Sequence, residues 1–442
     1  MSEPRTSKIN QAWETLFSQR PILHDVDTTG LHRITADEIN RIGEHQARLM
    51  AKFDHSSQLP KIFKDNRLAI LPTARGGYVI GRFQCYIKID QDADEEIIQS
   101  PLPDKLRELQ SIDPSDLYNE PAALLCAYYA GLIEDVLEEE LQFSVYGRMG
   151  TRAFDFSIQT EINGSIVPHS VDVDRSQCEI DAGFEGPSSF AIVEVKLGQI
   201  DDFHIRQLYY PYRLWLGKNR MDKRVVPVFL TYSTEIFTFS VYKFTDAEDF
   251  NSIGLVKRKR YQIAETEINI SDIRNILAQT QVRPEPPDVP FPQADRFERV
   301  IDMLARLRAS NGLMTRDEVT ETQVFDSRQT NYYIDSGRYL GLIDKDRTKE
   351  IGVSYTLTQL GLQIMNQQPR ARNLSLIRQL MMHSVFHDAL QYYLDNARQP
   401  SIPEIQGFIR AANLPINDTT SGRRAQTVIA WIRWVLRLTA GA

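Results

Sequence analysis

The stretch "CEIDAGFEGPSSFAIVEVKLG", Cys178 to Gly198, decides the fold of the middle of this chain. In "FAIVEVK" the side chains alternate: Ala191, Val193 and Val195 point one way, and Ile192, Glu194 and Lys196 the other. Both sets are apolar up to Glu194, so the strand is expected to be buried on both faces until its end. A carboxylate and an ammonium emerging together from such a strand need partners, because in open water the pair contributes little. Asp181, thirteen residues before Glu194 on its own short strand, is the nearest one. The group reads either as a structural ion pair or as a cleft-edge site in which Asp181 and Glu194 hold a divalent cation. Hard oxygen ligands in an incomplete shell suit Mg²⁺, which keeps waters and takes phosphate oxygens.

Working outward, a helix, "EPAALLCAYYAGLIEDVLEEEL", precedes the stretch, followed by strands "QFSVYG", "AFDFSIQ", "SIVPHSV" and "QCEIDAG". After it come a helix, "DDFHIRQLYYPYRLWLG", with Pro211 as a kink, and the strands "RVVPVFLTY" and "IFTFSVYKF". Helix, strands, helix, strands predicts an α/β domain built on a mixed sheet. On the N-terminal side, Thr35 and Glu38 have capping-box spacing ahead of a helix, and Gly76-Gly77 forms a turn between two strands. Five prolines in "QVRPEPPDVPFPQ", Gln281 to Gln293, forbid a helix and mark the main domain boundary. Beyond it, helix, short helix, longer helix and hairpin follow the winged helix-turn-helix order, and a second helical unit repeats it without an obvious wing. The expected domains are an N-terminal α+β unit at 1–95, the α/β domain at 96–285, and helical units at 291–368 and 369–442.

The bulk numbers narrow the class. A chain of 442 residues with 42% apolar and 25% charged residues is a folded protein of several domains. No apolar run approaches the ~18 residues of a membrane span, and the N-terminus lacks the apolar core of a signal peptide, so a cytoplasmic location with no membrane partner is expected. Cys85, Cys126 and Cys178 stand apart without metal or disulfide spacing and read as buried thiols. The net charge is −8, but residues 291–442 carry +4 and the remainder −12. An acidic body with a basic tail is compatible with phosphate-backbone contact through the tail. No glycine-rich phosphate loop ending in Gly-Lys-Ser/Thr is present, which argues against ATP use.

The chemistry of two carboxylates, a lysine and Mg²⁺ is that of phosphodiester hydrolysis. The cation polarises a phosphoryl oxygen and lowers the pKa of a water. The lysine orients that water and stabilises the developing charge. With Asp181 as first acid and Glu194-Val195-Lys196 as second motif, the chain resembles the PD-(D/E)xK nuclease superfamily, although Ile180 stands where the motif has proline. "CEIDAGFEG", "FAIVEVKLG" and "DDFHIRQLYYPYRLW" together resemble type II restriction endonucleases with C-terminal winged helices, over roughly residues 110–440. The resemblance implies an α/β (α+β) multidomain protein with a restriction-endonuclease-like mixed-sheet core. It also implies Mg²⁺-dependent cleavage of double-stranded DNA, a bacterial or archaeal cytoplasm, and a cognate DNA methyltransferase as functional partner. Cutting two strands calls for two active sites, hence a homodimer or a transient pairing of two copies. The alternatives are a repair or modification-dependent nuclease of the same superfamily and a non-catalytic winged-helix DNA-binding regulator.

Further residues carry two readings each. Glu120 is either the helix acid that completes the metal or water shell or a favourable charge at a helix N-terminus, with Glu134 as the alternative helix acid. Gln207 either positions the phosphate or lysine or lies on a solvated surface. Arg206 and Arg213 either contact phosphate or face solvent, and Glu185 is a loop acid. His204, His383 and His387 read as surface or packing residues. In the tail, Ser327 would cap a recognition helix from which Arg328, Gln329 and Asn331 reach base edges, and Arg423, Arg424 and Gln426 would open a second. "TARGGY", Thr73 to Tyr78, is a further candidate for phosphate contact.

Overall fold

The structure, a computed structural model, describes residues 8–90, 95–114, 117, 119–218, 222–263, 268–286, 288–310, 313–322, 327–348, 352–414 and 416–439. The side chains of 321, 322, 327, 328, 418 and 419 lie outside that description. The architecture is mixed α/β, as expected, with a large mixed sheet at its centre.

The central domain begins with helix α1 (Glu120–Tyr129), capped by the Asn119 side chain, which accepts from the Ala122 N–H at 2.8 Å. Then come β1 (Gln142–Gly150), β2 (Phe154–Ile162), β3 (Ser165–Val173), β4 (Gln177–Glu185) and β5 (Ser189–Leu197). Helix α2 (Arg206–Leu216) and strands β6 (Arg224–Ser233), β7 (Ile236–Phe244) and β8 (Ile253–Ile263) complete it. The sheet runs β8-β7-β6-β5-β4-β1, with the short strand Ile97–Ser100 added beyond β8. Strand β5 is parallel to β6 and antiparallel to β4, so α2 serves as the crossover between the two parallel strands. The strands β2 and β3 form a hairpin outside the large sheet, bridged to Phe83 through Thr160 and to Asp249 through Ser157, and the hairpin packs beside α2.

The two-faced burial read from "FAIVEV" has a plain cause. Ala191, Val193 and Val195 join the core beneath α1, with Ala123, Ala127 and Val136. Phe190 and Ile192 join the core beneath α2, with Leu208 and Trp215. Strand β5 is therefore the middle of a three-layer arrangement.

Helices Lys8–Gln19, Ile22–Thr29 and Ala36–Gly43 gather around the fully buried Trp13 in the N-terminal unit. The strands Ala69–Ala74 and Gly77–Gly81 turn at Gly76, whose φ of 80° suits glycine. The Thr35–Glu38 capping box is present.

C-terminally, α3 (Phe297–Ala309), the strand Leu313–Thr315, helices Arg316–Thr322 and Ser327–Tyr339, and the hairpin Ile343–Thr348/Gly352–Leu357 keep the winged-helix order. The helices Gln359–Met365, Pro369–Met381, Ser384–Asn396, Ile402–Ala411 and Asp418–Arg437 follow. Two expectations change here. A single apolar core runs from Ile268 to Leu436, so the units expected at 291–368 and 369–442 share one core. Helix Ile270–Gln279, placed by sequence in the α/β domain, belongs to it too, through Ile273, Ile276 and Leu277. The proline segment is not a free tether. Phe291 stacks on Phe386, and the Ala294 carbonyl accepts from Trp431 Nε1 at 2.6 Å.

Candidate active site

The site forms where the pairing of β4 with β5 ends. The ladder runs from Phe190–Glu185 to Val193–Ala182 and stops. One residue beyond, the Asp181 carboxylate takes over, and its Oδ2 accepts from the Val195 N–H at 2.8 Å. The strands part at the point where Asp181 and Glu194 stand side by side, and the opening is filled by charged groups.

Lys196 lies among them. Its Nζ donates to Glu194 Oε1 at 2.6 Å and to the Val195 carbonyl at 2.8 Å, and stands 3.7 Å from Glu120 Oε1. Glu120 sits on the first turn of α1, so the helix acid of the cluster is Glu120. Glu134 instead accepts from its own neighbourhood, the Leu141 N–H. Gln207, on the first turn of α2, donates from Nε2 to the same Glu194 oxygen at 2.6 Å. Its own Oε1 is buried and without a partner. Of the two readings of Gln207, the solvated surface falls away: the residue is buried and holds Glu194.

The electrostatics share one theme. Burial pushes the Glu194 carboxyl up to about 7, against the pull of Lys196. Burial also raises Asp181 and Glu120, with repulsion from Glu120 adding to it at Asp181 and from Glu194 at Glu120. Burial alone would lower Lys196, but Glu194, Glu120 and Asp181 more than offset it and hold the ammonium above its ordinary value. Three carboxylates thus gather around the Lys196 ammonium in a desolvated corner, with Arg306 and Lys52 acting on Glu120 from further off. Among the described residues no three or more His, Cys, Asp or Glu side chains are gathered as a ready metal cage.

The neighbouring expectations fare variously. Arg206 pairs with Asp54 at 3.2 Å, and Asp54 is held below its ordinary value although burial opposes this. Arg213 is spent on the carbonyls of Asp155 and Ala247. His204 is buried, not superficial: it lies on the strand Asp202–His204, where burial and then Arg206 lower its imidazole to about 3. Glu185 pairs with Lys223 at 2.7 Å from the end of β4. His383 stacks on Tyr339 and bonds Glu285 at 2.8 Å, while His387 stands 3.6 Å from Asp388.

The tail residues are less uniform. The side chains of Ser327 and Arg328 lie outside the described residues. Gln329 and Asn331 are half-buried on the helix Ser327–Tyr339. Gln426 is exposed. Arg423 and Arg424 turn away from the role expected of them: they donate to Asp295 at 2.5 Å and to the Phe291 carbonyl at 2.7 Å, clamping the proline segment. Tyr78 is half-buried and Arg75 exposed at the tip of the N-terminal hairpin.

Two groups beside the site escaped the sequence reading. Asp54 reaches it from the N-terminal unit, and Arg306 from the C-terminal core. Only the regular spacing of Arg299, Asp302 and Arg306 hinted at a polar face on α3 with work other than solvation.

Comparison with known proteins divides the chain into three. Residues 10–80, 81–262 and 299–440 match three families, each described as a domain of unknown function (DUF6996, DUF6997 and DUF7226). Glu120, Asp181, Glu194, Lys196 and Gln207 all fall within the second match, and Arg306 within the third. No curated protein and no solved structure matches the chain. Among the described residues no helix is long and apolar enough to cross a membrane.

Proposed function

We propose that this chain is a Mg²⁺-dependent DNA endonuclease of the type II restriction kind. The observation that carries the reading is the placement of Lys196 between Glu194, at 2.6 Å, and Glu120, at 3.7 Å, beside an Asp181 fixed by the Val195 N–H. A purely structural ion pair balances its charges. This cluster has acids to spare, all raised, and a buried Gln207 oxygen that lacks a donor. Such a donor set fits a hard divalent cation.

Asp181 and Glu194 would hold the ion. Bound there, Mg²⁺ supplies positive charge to the scissile phosphate and makes a water acidic enough to attack. The chain's own residues do the rest. Gln207 holds the Glu194 carboxylate in place through its amide. Val195 does the same for Asp181 through its backbone N–H. Lys196 stays protonated beside three acids, so it orients the attacking water and stabilises charge on the phosphate, and is not a proton acceptor. Glu120 keeps the ammonium aimed at the opening between the strands. The basic C-terminal core supports the choice of double-stranded DNA as substrate, with Gln329, Asn331 and Gln426 as base-edge candidates. A homodimer would place one centre on each strand, and a cognate methyltransferase would protect the host's own sites.

Incubation of supercoiled plasmid with the full chain and Mg²⁺ tests the reading. Discrete products, abolished by EDTA and by Glu194→Gln, are expected. Intact plasmid from many sequence contexts, or equal nicking by Glu194→Gln, would remove the reading.

A further inference from the structure

Helix α3 opens the C-terminal core and turns a charged face to the connector that follows β5. Arg299, Asp302 and Arg306 recur along this face at helical spacing, and Arg296 stands just ahead of it. Arg296 and Arg299 hold Asp201 at 2.6 and 2.8 Å. Asp302 Oδ2 accepts from the Gln199 N–H at 3.1 Å and from the Ser233 hydroxyl, at the end of β6, at 2.9 Å. Arg306 Nη2 donates to the Leu197 carbonyl at 2.9 Å. Gly198 lies against this face with φ of 87°, and a Cβ there would stand 3.3 Å from Asp302 and 3.9 Å from Arg306. Both the left-handed backbone and the close approach call for glycine.

Leu197 follows Lys196 directly, so a guanidinium on its carbonyl fixes the strand end one peptide beyond the residue that carries the ammonium. The same guanidinium lies in the field of Glu120, the acid on the other side of that ammonium. One side chain from the C-terminal core thus bonds the strand that carries Lys196 and adds positive charge near the helix acid that faces it.

We propose that Arg306 is a positioning residue for the candidate active site: delivered by the C-terminal core, it pins the Lys196–Leu197 strand end next to Glu120, so the site is complete only while α3 is docked. Its catalytic consequence rests on the endonuclease reading, whereas the pinning does not. A domain that contacts DNA and also holds the cutting residues in place makes cutting depend on how that domain sits.

The full chain is compared as wild type, Arg306→Ala and Arg306→Lys. Hydrogen exchange of the backbone over residues 194–204 should quicken about tenfold in Arg306→Ala and stay near wild type in Arg306→Lys, since lysine still donates to the carbonyl. Single-turnover cleavage at saturating DNA should fall about tenfold or more in Arg306→Ala, with DNA affinity within about twofold of wild type and most of the rate regained in Arg306→Lys. Unchanged exchange in Arg306→Ala overturns the proposal. So does an equal loss of rate and affinity, or a lysine variant as defective as the alanine one. A wild type that cuts no DNA removes the endonuclease reading instead, and the exchange comparison still decides whether Arg306 pins the strand.

Discussion

Lys196, near the end of β5, and Asp201, on the connector that follows, lie five positions apart and stand in opposite electrostatic settings. At Lys196 one ammonium is the near partner of Glu194 and Glu120, Arg306 and Lys52 act on Glu120 from further off, and the carboxyls of Glu194, Glu120 and Asp181 are all raised. At Asp201 two arginines serve one carboxylate, which is held below its ordinary value although burial opposes it. The second setting is what a structural contact looks like, with cation in surplus and the acid satisfied. The first retains unspent negative charge in a desolvated corner, which folding tolerates at a cost. Such a deficit is expected where a ligand supplies the missing charge.

The largest effect that would break this comparison is catalytic. Glu194→Ala or Asp181→Ala should lower the single-turnover cleavage rate by about a thousandfold, with DNA affinity in a gel-shift titration little changed. Full cleavage by both variants would place the deficit outside catalysis. Next comes stability. Lys196→Ala, measured by urea unfolding in EDTA, should cost about 3 kcal/mol, because buried acids are left without their cation. A cost near zero would mean that the acids simply take up protons and never needed the lysine.

The clasp on α3 sharpens the contrast through pH. Burial holds the Asp302 carboxyl up at about 6, above its ordinary 3.8, so folding favours its protonated form. That contribution is complete below the unfolded value and is lost as pH rises through 6. Asp302→Asn, neutral throughout, should therefore gain on the wild type by roughly 1–3 kcal/mol between pH 4 and 7. A pH-independent difference between the two unfolding curves would show that Asp302 is not held up. Smallest is Asp201→Asn, at about 1 kcal/mol, because the Asp201 side chain is half exposed. A loss as large as that of Lys196→Ala would erase the distinction between the two settings.

The central sheet was legible because its strands obey short-range rules. The alternation in "FAIVEV" and the Gly76-Gly77 turn act over a few residues, and the strands at 154–162 and 224–233 are β-branched and aromatic. Strand β8 escaped because "VKRKRYQI" alternates cations with cations, and those cations find acids only in the fold: Lys257 on Glu138, Arg258 on Glu95, Lys259 on Asp135. The strand Asp202–His204 was absorbed into the helix pattern behind it, since three residues carry no periodicity. Within the site, Asp181, Glu194 and Lys196 were visible as types at a spacing. The choice of Glu120 over Glu134 was not, because both stand on helical stretches with similar neighbours and only the placement of α1 against β5 decides it. Arg306 was invisible for a related reason: it comes from more than a hundred residues away, across a proline segment that reads as a boundary. The arginines at 423 and 424 show the converse. Their sequence setting suits nucleic acid, and the fold spends them on Asp295 and the Phe291 carbonyl.

That clamp has a bearing on how the molecule is made. The segment around residues 291–295 is held by Arg423, Arg424 and Trp431, all on helix Asp418–Arg437, and the bridge of Ile268 to Thr439 closes the same core. During synthesis these partners leave the ribosome more than a hundred residues after the segment that they grip. The α/β domain can therefore collapse before the far helix that grips residues 291–295 is made. A nascent chain of this design thus carries Asp181, Glu194 and Lys196 well before α3 is made to grip the strand end beside them.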